Sequence, residues 1–195
     1  MPAFHGPAFE AGHVQQIRNK AREAGRFLLD VDEEIIAYGA AAWTAIGTAG
    51  SPGTKLFCVA GCVEKPGLYE VPFGTRLDAL VARAGGPSHA RIQAILLGGA
   101  AGAFVTKDEL ATPLTFEDVR AIQATLGSGV ILVFDDTIDI RGVLARIAAF
   151  FRDESCGQCV PCRVGTVRQE ELIARLVHGR PRGSVAEELA LFDEL

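Results

Sequence analysis

No stretch of the sequence stays apolar for long enough to cross a bilayer. The longest run without Asp, Glu, Lys or Arg, residues 35–54, is broken by Gly39, Gly47, Gly50, Pro52 and Gly53, whereas a spanning helix needs about 20 consecutive apolar residues. A cationic excess is lacking too. Lys and Arg number 19 against 24 Asp and Glu, for a net charge of −5, and no basic segment marks a nucleic acid or an anionic membrane as partner. Cysteine is scarce: five residues, an odd number with clustered spacing. With no secretory signal in the first residues, this argues against a disulfide-stapled secreted domain and makes a reducing cytosol the expected compartment. What is present, 49% apolar and 22% charged residues over 195 positions, fits a globular chain of one or two domains with a real core.

Three of the five cysteines stand together in Ser155-Cys-Gly-Gln-Cys-Val-Pro-Cys-Arg163. A loop with a thiolate every third residue can wrap one side of a compact inorganic cluster, and thiolates are the ligands of iron–sulfur clusters, normally four of them. Gly157 lets the backbone pass close to sulfur, and Pro161 stiffens the turn before the last ligand. A disulfide within this loop is a poor reading, because two C-x-x-C pairs overlap. A zinc site stays open, although zinc motifs usually come as two separated pairs, and so do buried structural thiols. Cys156, Cys159 and Cys162 are therefore the candidate metal ligands. In the bacterial ferredoxin run the fourth cysteine follows after three residues. Thr166 occupies that position, and no cysteine follows it. His178 is a weaker candidate, since a lone histidine in a helical stretch is more often a surface or capping residue.

Around this loop the patterns are α+β. Residues 14–29 have helical spacing, and a second helix is expected over 33–47 with Ile35, Ile36, Ala40 and Trp43 on one side. His5 and His13 read as loop residues. After the Gly- and Pro-rich break at 47–53, residues 55–63 and 68–71 form two strands around the Glu64-Lys65-Pro66-Gly67 turn. Thr75 is expected to cap a helix burying Leu77, Leu80, Val81 and Ala84, ended by Gly85-Gly86-Pro87. Strands are expected at 92–97 and 130–134. The glycines of 98–102 lack the lysine of a phosphate loop and read as a turn. Asp135, Asp136 and Asp139 precede an amphipathic helix over 139–151 and suit its positive end better than a cation site. Its face is Ile140, Leu144, Ile147, Ala148 and Phe151. Further helices are expected over 164–177 and from 185 onward, where Val185, Leu189 and Phe192 share a face. Hairpin, helix, then more strands is the order of a small β-grasp domain.

At this point a family can be named. Residues 51–62, Ser-Pro-Gly-Thr-Lys-Leu-Phe-Cys-Val-Ala-Gly-Cys, with Lys65-Pro-Gly-Leu-Tyr-Glu-Val71, resemble the soluble-ligand-binding β-grasp (SLBB) module of the flavin-carrying NADH dehydrogenase subunit. Residues 154–165, Glu-Ser-Cys-Gly-Gln-Cys-Val-Pro-Cys-Arg-Val-Gly, are similar to that subunit's cluster-binding signature. The family includes the NADH-binding subunit of complex I and the diaphorase subunits of soluble NAD-linked formate dehydrogenases and NAD-reducing hydrogenases. Leu97-Gly-Gly-Ala-Ala-Gly, Leu126-Gly-Ser-Gly-Val-Ile and Gly165-Thr-Val-Arg-Gln-Glu-Glu look closest to the formate dehydrogenase branch. The resemblance covers about residues 34–195.

The resemblance implies an α+β chain, with a ubiquitin-like β-grasp domain followed by a helical-bundle iron–sulfur domain. Residues 1–53 would be a helical remnant without the flavin loop, 54–135 the SLBB domain, and 136–195 a [4Fe-4S]-binding domain incomplete at its C-terminus. NADH would give a hydride to FMN, which would pass electrons singly to a [4Fe-4S] cluster held by Cys156, Cys159 and Cys162. Arg163 and nearby amides would raise the cluster's potential. Cys58 and Cys62 read as packing residues. No stretch matches the family's Gly-Arg-Gly-Gly-Ala-Gly-Phe flavin loop. Where an asparagine pair is expected, near 28–34, the chain reads Leu-Leu-Asp-Val-Asp-Glu-Glu, and the family's fourth cysteine lies beyond Leu195. FMN and NAD are thus implied without their binding domain, and a C-terminal half cut short, or a rearranged gene, is expected, inactive alone. The implied partners are a thioredoxin-like 2Fe-2S subunit and a larger iron–sulfur or catalytic subunit, in the cytoplasm or at the cytoplasmic face of a membrane complex. The alternative is a non-catalytic scaffold without a functional cluster.

Overall fold

The computed structural model describes residues 37–87 and 91–193. The helix expected over 14–29, together with Ile35, Ile36, His5 and His13, lies outside them. The described residues divide into two compact units, one of 37–87 with 92–133 and one of Arg91 with 134–193.

The first unit is built on a sheet. β1 (Thr54–Gly61) turns Phe57 and Val59 into the core and leaves Cys58 and Ala60 half-buried on its other face. This is the period of two that a strand imposes. Its partner β2 (Gly67–Pro72) returns antiparallel, with Thr54 opposite Pro72 and Val59 opposite Gly67. β5 (Val130–Asp135) lies on the other side of β1 and runs parallel to it, Cys58 opposite Val130 and Gly61 opposite Val133. β3 (Ile92–Leu97) and β4 (Ala103–Val105) pair antiparallel and complete the order β2-β1-β5-β3-β4. A parallel pair formed by the first and last strands, flanked by hairpins, is the β-grasp arrangement, and the chain is α+β as its element order implied.

The first two helices, α1 (Ala40–Thr44) and α2 (Leu77–Arg83), are short and belong to this unit. α2 buries Leu77, Leu80 and Val81, and Ala84 beyond its end is buried with them. The N-cap is Arg76, not Thr75. Thr75 Oγ1 instead donates to the Pro72 carbonyl at 2.7 Å, and the Thr75 carbonyl accepts from Leu114 N at 2.9 Å. A tertiary contact therefore takes the residue that local pattern assigned to capping. The α2 end is as expected: Gly85 sits at φ +89° and Gly86 N donates to Val81 O at 2.9 Å, the left-handed exit that glycine makes easy. Sequence periodicity missed three short pieces here. β4 has three residues; a single 3-10 turn (Lys107–Glu109) is held by a capping box between Thr106 and Glu109; and α3 (Phe116–Ala121) is capped by Thr115, which accepts from Asp118 N at 3.0 Å.

The second unit is helical. α4 (Ile140–Asp153) starts at Asp139, whose carboxylate accepts from Arg141 N at 3.0 Å and also pairs with the Arg141 guanidinium. α5 (Val160–Val177) follows after a six-residue link and ends at His178; Gly179 exits at φ +64°. α6 (Val185–Asp193) comes next. α5 begins four residues earlier than the periodic pattern suggests. Pro161 in its first turn is the reason: the fixed φ of proline suits that position, and the missing N–H would have no helical partner there. α4 and α5 are tied by Arg152, which pairs with Asp153 at 2.8 Å and with Glu170 on α5.

Candidate metal centre

The link between α4 and α5 carries the cysteine motif, and each thiol has a different backbone setting. Cys156 lies in the loop, just before Gly157 at φ +74°. Cys159 is the N-cap of α5, with extended backbone at φ −88° and ψ 124°, and makes no side-chain capping bond. Cys162 sits in the first turn of α5. All three are exposed, and no cysteine of the chain forms a disulfide. The three cysteines thus stand at and just before the N-terminus of one helix, unbridged.

The loop is held by bonds that cross it. Arg163 donates from its guanidinium to Gly157 O at 3.3 Å, and its backbone N–H reaches Cys159 O at 2.9 Å. Ser155 Oγ lies 3.5 Å from Cys162 Sγ and accepts from Gly157 N at 3.4 Å. Thr166, where a ferredoxin would carry a fourth cysteine, donates its hydroxyl back along the helix to Cys162 O at 2.9 Å. Sequence reasoning singled out the three cysteines and Arg163. It passed over Ser155, because nothing in the motif tells that the residue before the first cysteine folds back over the last.

The donor set separates the metal readings. Among the described residues, no group of three or more His, Cys, Asp or Glu side chains is already arranged to hold a metal ion. A tetrahedral zinc would require sulfurs about 3.8 Å apart, given Zn–S bonds of about 2.3 Å. A cubane places each thiolate on a separate iron, so its ligands stand further apart and need no such convergence. Three exposed soft sulfur donors at C-x2-C-x2-C spacing on one loop are the donor type an iron–sulfur cluster takes. His178 is exposed at the far end of α5, 16 residues from Cys162, or about 24 Å at 1.5 Å per helical residue, which is out of reach of the same site. Cys58 and Cys62 lie in the sheet unit, half-buried; Cys58 stands opposite Leu68 and Val130, and Cys62 N donates to Val133 O at 2.8 Å.

Comparison with known proteins bears on both units. Residues 142–195 match the family described as the NADH-ubiquinone oxidoreductase-F iron–sulfur binding region, and residues 56–97 match the SLBB domain. The chain is 37% identical over 159 residues to the NADH-quinone oxidoreductase F-subunit 2 of Rhizobium meliloti (strain 1021), covering 80% of this chain and 38% of that protein. It is 33% identical over 163 residues to the NADP-reducing hydrogenase subunit HndC of Solidesulfovibrio fructosivorans, covering 83% and 33%. A crystal structure of NAD+-reducing [NiFe]-hydrogenase in the H2-reduced state superposes with a TM-score of 0.72 at 37% identity, over 82% of this chain and 26% of that one. The chain spans less than two fifths of the length of these relatives. The matched helical region is one that takes a [4Fe-4S] cluster. No helix among the described residues is long and apolar enough to cross a membrane. Residues 56–97 of the chain, then, are an SLBB domain and residues 142–195 an NADH-ubiquinone oxidoreductase-F iron–sulfur binding region, and the chain is similar to parts of NADH-quinone oxidoreductase F-subunits and of an NAD+-reducing hydrogenase.

Proposed function

We propose that the chain is the electron-transfer part of an NADH dehydrogenase-type (diaphorase) subunit, and that Cys156, Cys159 and Cys162 hold three irons of its [4Fe-4S] cluster. The observation that carries this is the state of the three thiols: exposed, unbridged and grouped at the α5 N-terminus on a loop braced by Arg163. When bound, such a cluster takes up and passes on one electron at a time. The protein's part is placement. Gly157 takes the left-handed turn of the loop at φ +74°, and Cys159, the N-cap, leaves its thiol free of capping at the positive end of the α5 dipole. The fourth iron would take water, an added thiol or a residue from outside these 195. On this reading residues 54–135 act as the SLBB domain and 136–195 as the cluster domain. The donor is FMN reduced by NADH, bound outside these residues, and the complex is an NAD-linked formate dehydrogenase or an NADH:quinone oxidoreductase, with a thioredoxin-like 2Fe-2S subunit and a larger iron–sulfur subunit as neighbours in the cytoplasm.

The test is anaerobic reconstitution of the full chain with iron and sulfide. Iron and sulfide should be taken up near four of each, and mild oxidation should remove one iron, because three thiolates anchor only three corners. Cys159→Ser should abolish uptake, while Cys58→Ser and Cys62→Ser should leave it unchanged. Uptake that survives Cys159→Ser and is lost with Cys62→Ser would place the site in the wrong unit. No uptake by the unaltered chain would favour a scaffold without a cluster.

A further inference from the structure

The loop that carries the cysteines is closed on Cys162 by a hydroxyl. Ser155 Oγ stands 3.5 Å from Cys162 Sγ although seven positions separate the two residues, and the same oxygen accepts from Gly157 N at 3.4 Å. A hydroxyl that accepts from the Gly157 amide keeps its O–H free to donate, and a ligating thiolate has no proton to give, so toward a thiolate the hydroxyl is the donor. Ser155 is half-buried while the cysteines are exposed, and Gly157 at φ +74° turns its amide toward Ser155, with Arg163 holding the Gly157 carbonyl from the other side. One bond to the hydroxyl, from the Gly157 amide, and one that braces Gly157 thus hold the hydroxyl beside the sulfur.

We infer that Ser155 is a positioning residue that donates a hydrogen bond to the Cys162 thiolate and so raises the reduction potential of the cluster that Cys162 helps to hold. This rests on the proposed reading of Cys156, Cys159 and Cys162 as ligands. Reduction adds negative charge that is shared by the thiolates, and a donor aimed at sulfur stabilises the reduced form more than the oxidised one. Thr166 supplies the internal control. It has a hydroxyl close to the same cysteine, but donates it to the Cys162 carbonyl at 2.9 Å and not to sulfur.

The experiment compares the full chain with Ser155→Ala, Ser155→Thr and Thr166→Val, each reconstituted anaerobically, assayed for iron and sulfide, and titrated potentiometrically with the reduced cluster followed by electron paramagnetic resonance. Ser155→Ala should lower the potential by the equivalent of a roughly tenfold change in the reduction equilibrium, the weight of one hydrogen bond to a charged acceptor, or about 59 mV for one electron. Ser155→Thr, which keeps a hydroxyl, should restore the potential, and Thr166→Val should leave it unchanged. Equal potentials for Ser155→Ala and the unaltered chain, at equal cluster content, overturn the role of Ser155 and leave the cluster reading standing. Absence of a cluster from the unaltered chain overturns that reading and the inference together. Should Ser155→Ala alone fail to load, alkylation of the metal-free chains decides. Cys162 should react several-fold more slowly relative to Cys156 in Ser155→Ala than in the unaltered chain, because the thiolate is the form that alkylates and the donor stabilises it, and unchanged relative rates overturn the inference.

Discussion

Gly61 and Gly157 show how far one residue's setting decides its tolerance. Both have positive φ, +89° and +74°. A Cβ on Gly157 would meet only Arg163 Cδ at 3.9 Å, whereas one on Gly61 would run into the Val133 carbonyl oxygen. Gly157→Ala should therefore cost only the left-handed backbone penalty, about 1–2 kcal/mol. Gly61→Ala should cost more, because β1 and β5 must part where Gly61 faces Val133 and Cys62 N bonds to Val133 O at 2.8 Å. Chemical denaturation of the two variants should rank them in that order; equal losses would mean that the β1–β5 seam yields easily. At this scale the sequence was informative where chemistry names the residue. Thiols three apart point to a metal centre before any fold is known, and the structure leaves those three exposed and unbridged. Ser155 was not legible, since its role depends on where a loop returns, and neither was Thr75, whose hydroxyl and carbonyl answer to Pro72 and Leu114.

Elements were legible in proportion to their length. α4 carries an apolar stripe over four turns and was found within two residues at each end. β1 and β2 announced themselves by β-branched and aromatic residues around a Pro-Gly turn. β4, the 3-10 turn and α3 run three to six residues, too few to show a period. The link between α5 and α6 is likewise a matter of single contacts. The buried Glu188 carboxylate takes both oxygens to the Arg175 guanidinium, at 2.8 and 2.7 Å, and accepts from Arg182 N at 2.8 Å. The hydrogen bonds from Arg175, then from the Arg182 amide, lower its pKa from 4.5 to about 2. A carboxyl held below its unfolded value stabilises the fold fully above that value and loses the contribution as pH falls toward the folded one. The α5–α6 contact should thus be intact above about pH 4.5 and weaken progressively toward pH 2. Hydrogen exchange of the α6 amides, measured across that range, should accelerate in the unaltered chain. Glu188→Gln should speed exchange already at pH 7 and flatten its dependence between pH 4.5 and 2; a dependence unchanged by Glu188→Gln would assign the transition to another group.

At the scale of the whole molecule the two units differ in what holds them. The sheet unit has a continuous core that includes Phe57, Val59, Leu77, Leu80, Ile95, Leu97, Ile131 and Val133. In the helical unit the buried apolar side chains among the described residues are Ala148 and Leu172, while Leu144, Phe150, Phe151, Val160, Val164, Val167, Val185, Leu189 and Leu191 are all more than a third exposed. Burial of apolar surface is the main favourable term in folding, so the helical unit leans on few contacts. Leu172→Ala should remove one of these at a cost of about 2–5 kcal/mol, and calorimetry should show the loss in a transition assigned to α4–α6. A ligand that binds only the folded form stabilises it by mass action, and a metal site that forms only on folding contributes its binding energy to the fold. Loading with iron and sulfide should therefore slow hydrogen exchange over residues 134–193 and leave 54–133 nearly unchanged. The asymmetry follows from the sites: the proposed ligands all stand between α4 and the first turn of α5, and none lies in the sheet. Protection spread evenly over both units would count against a cluster held by Cys156, Cys159 and Cys162 alone.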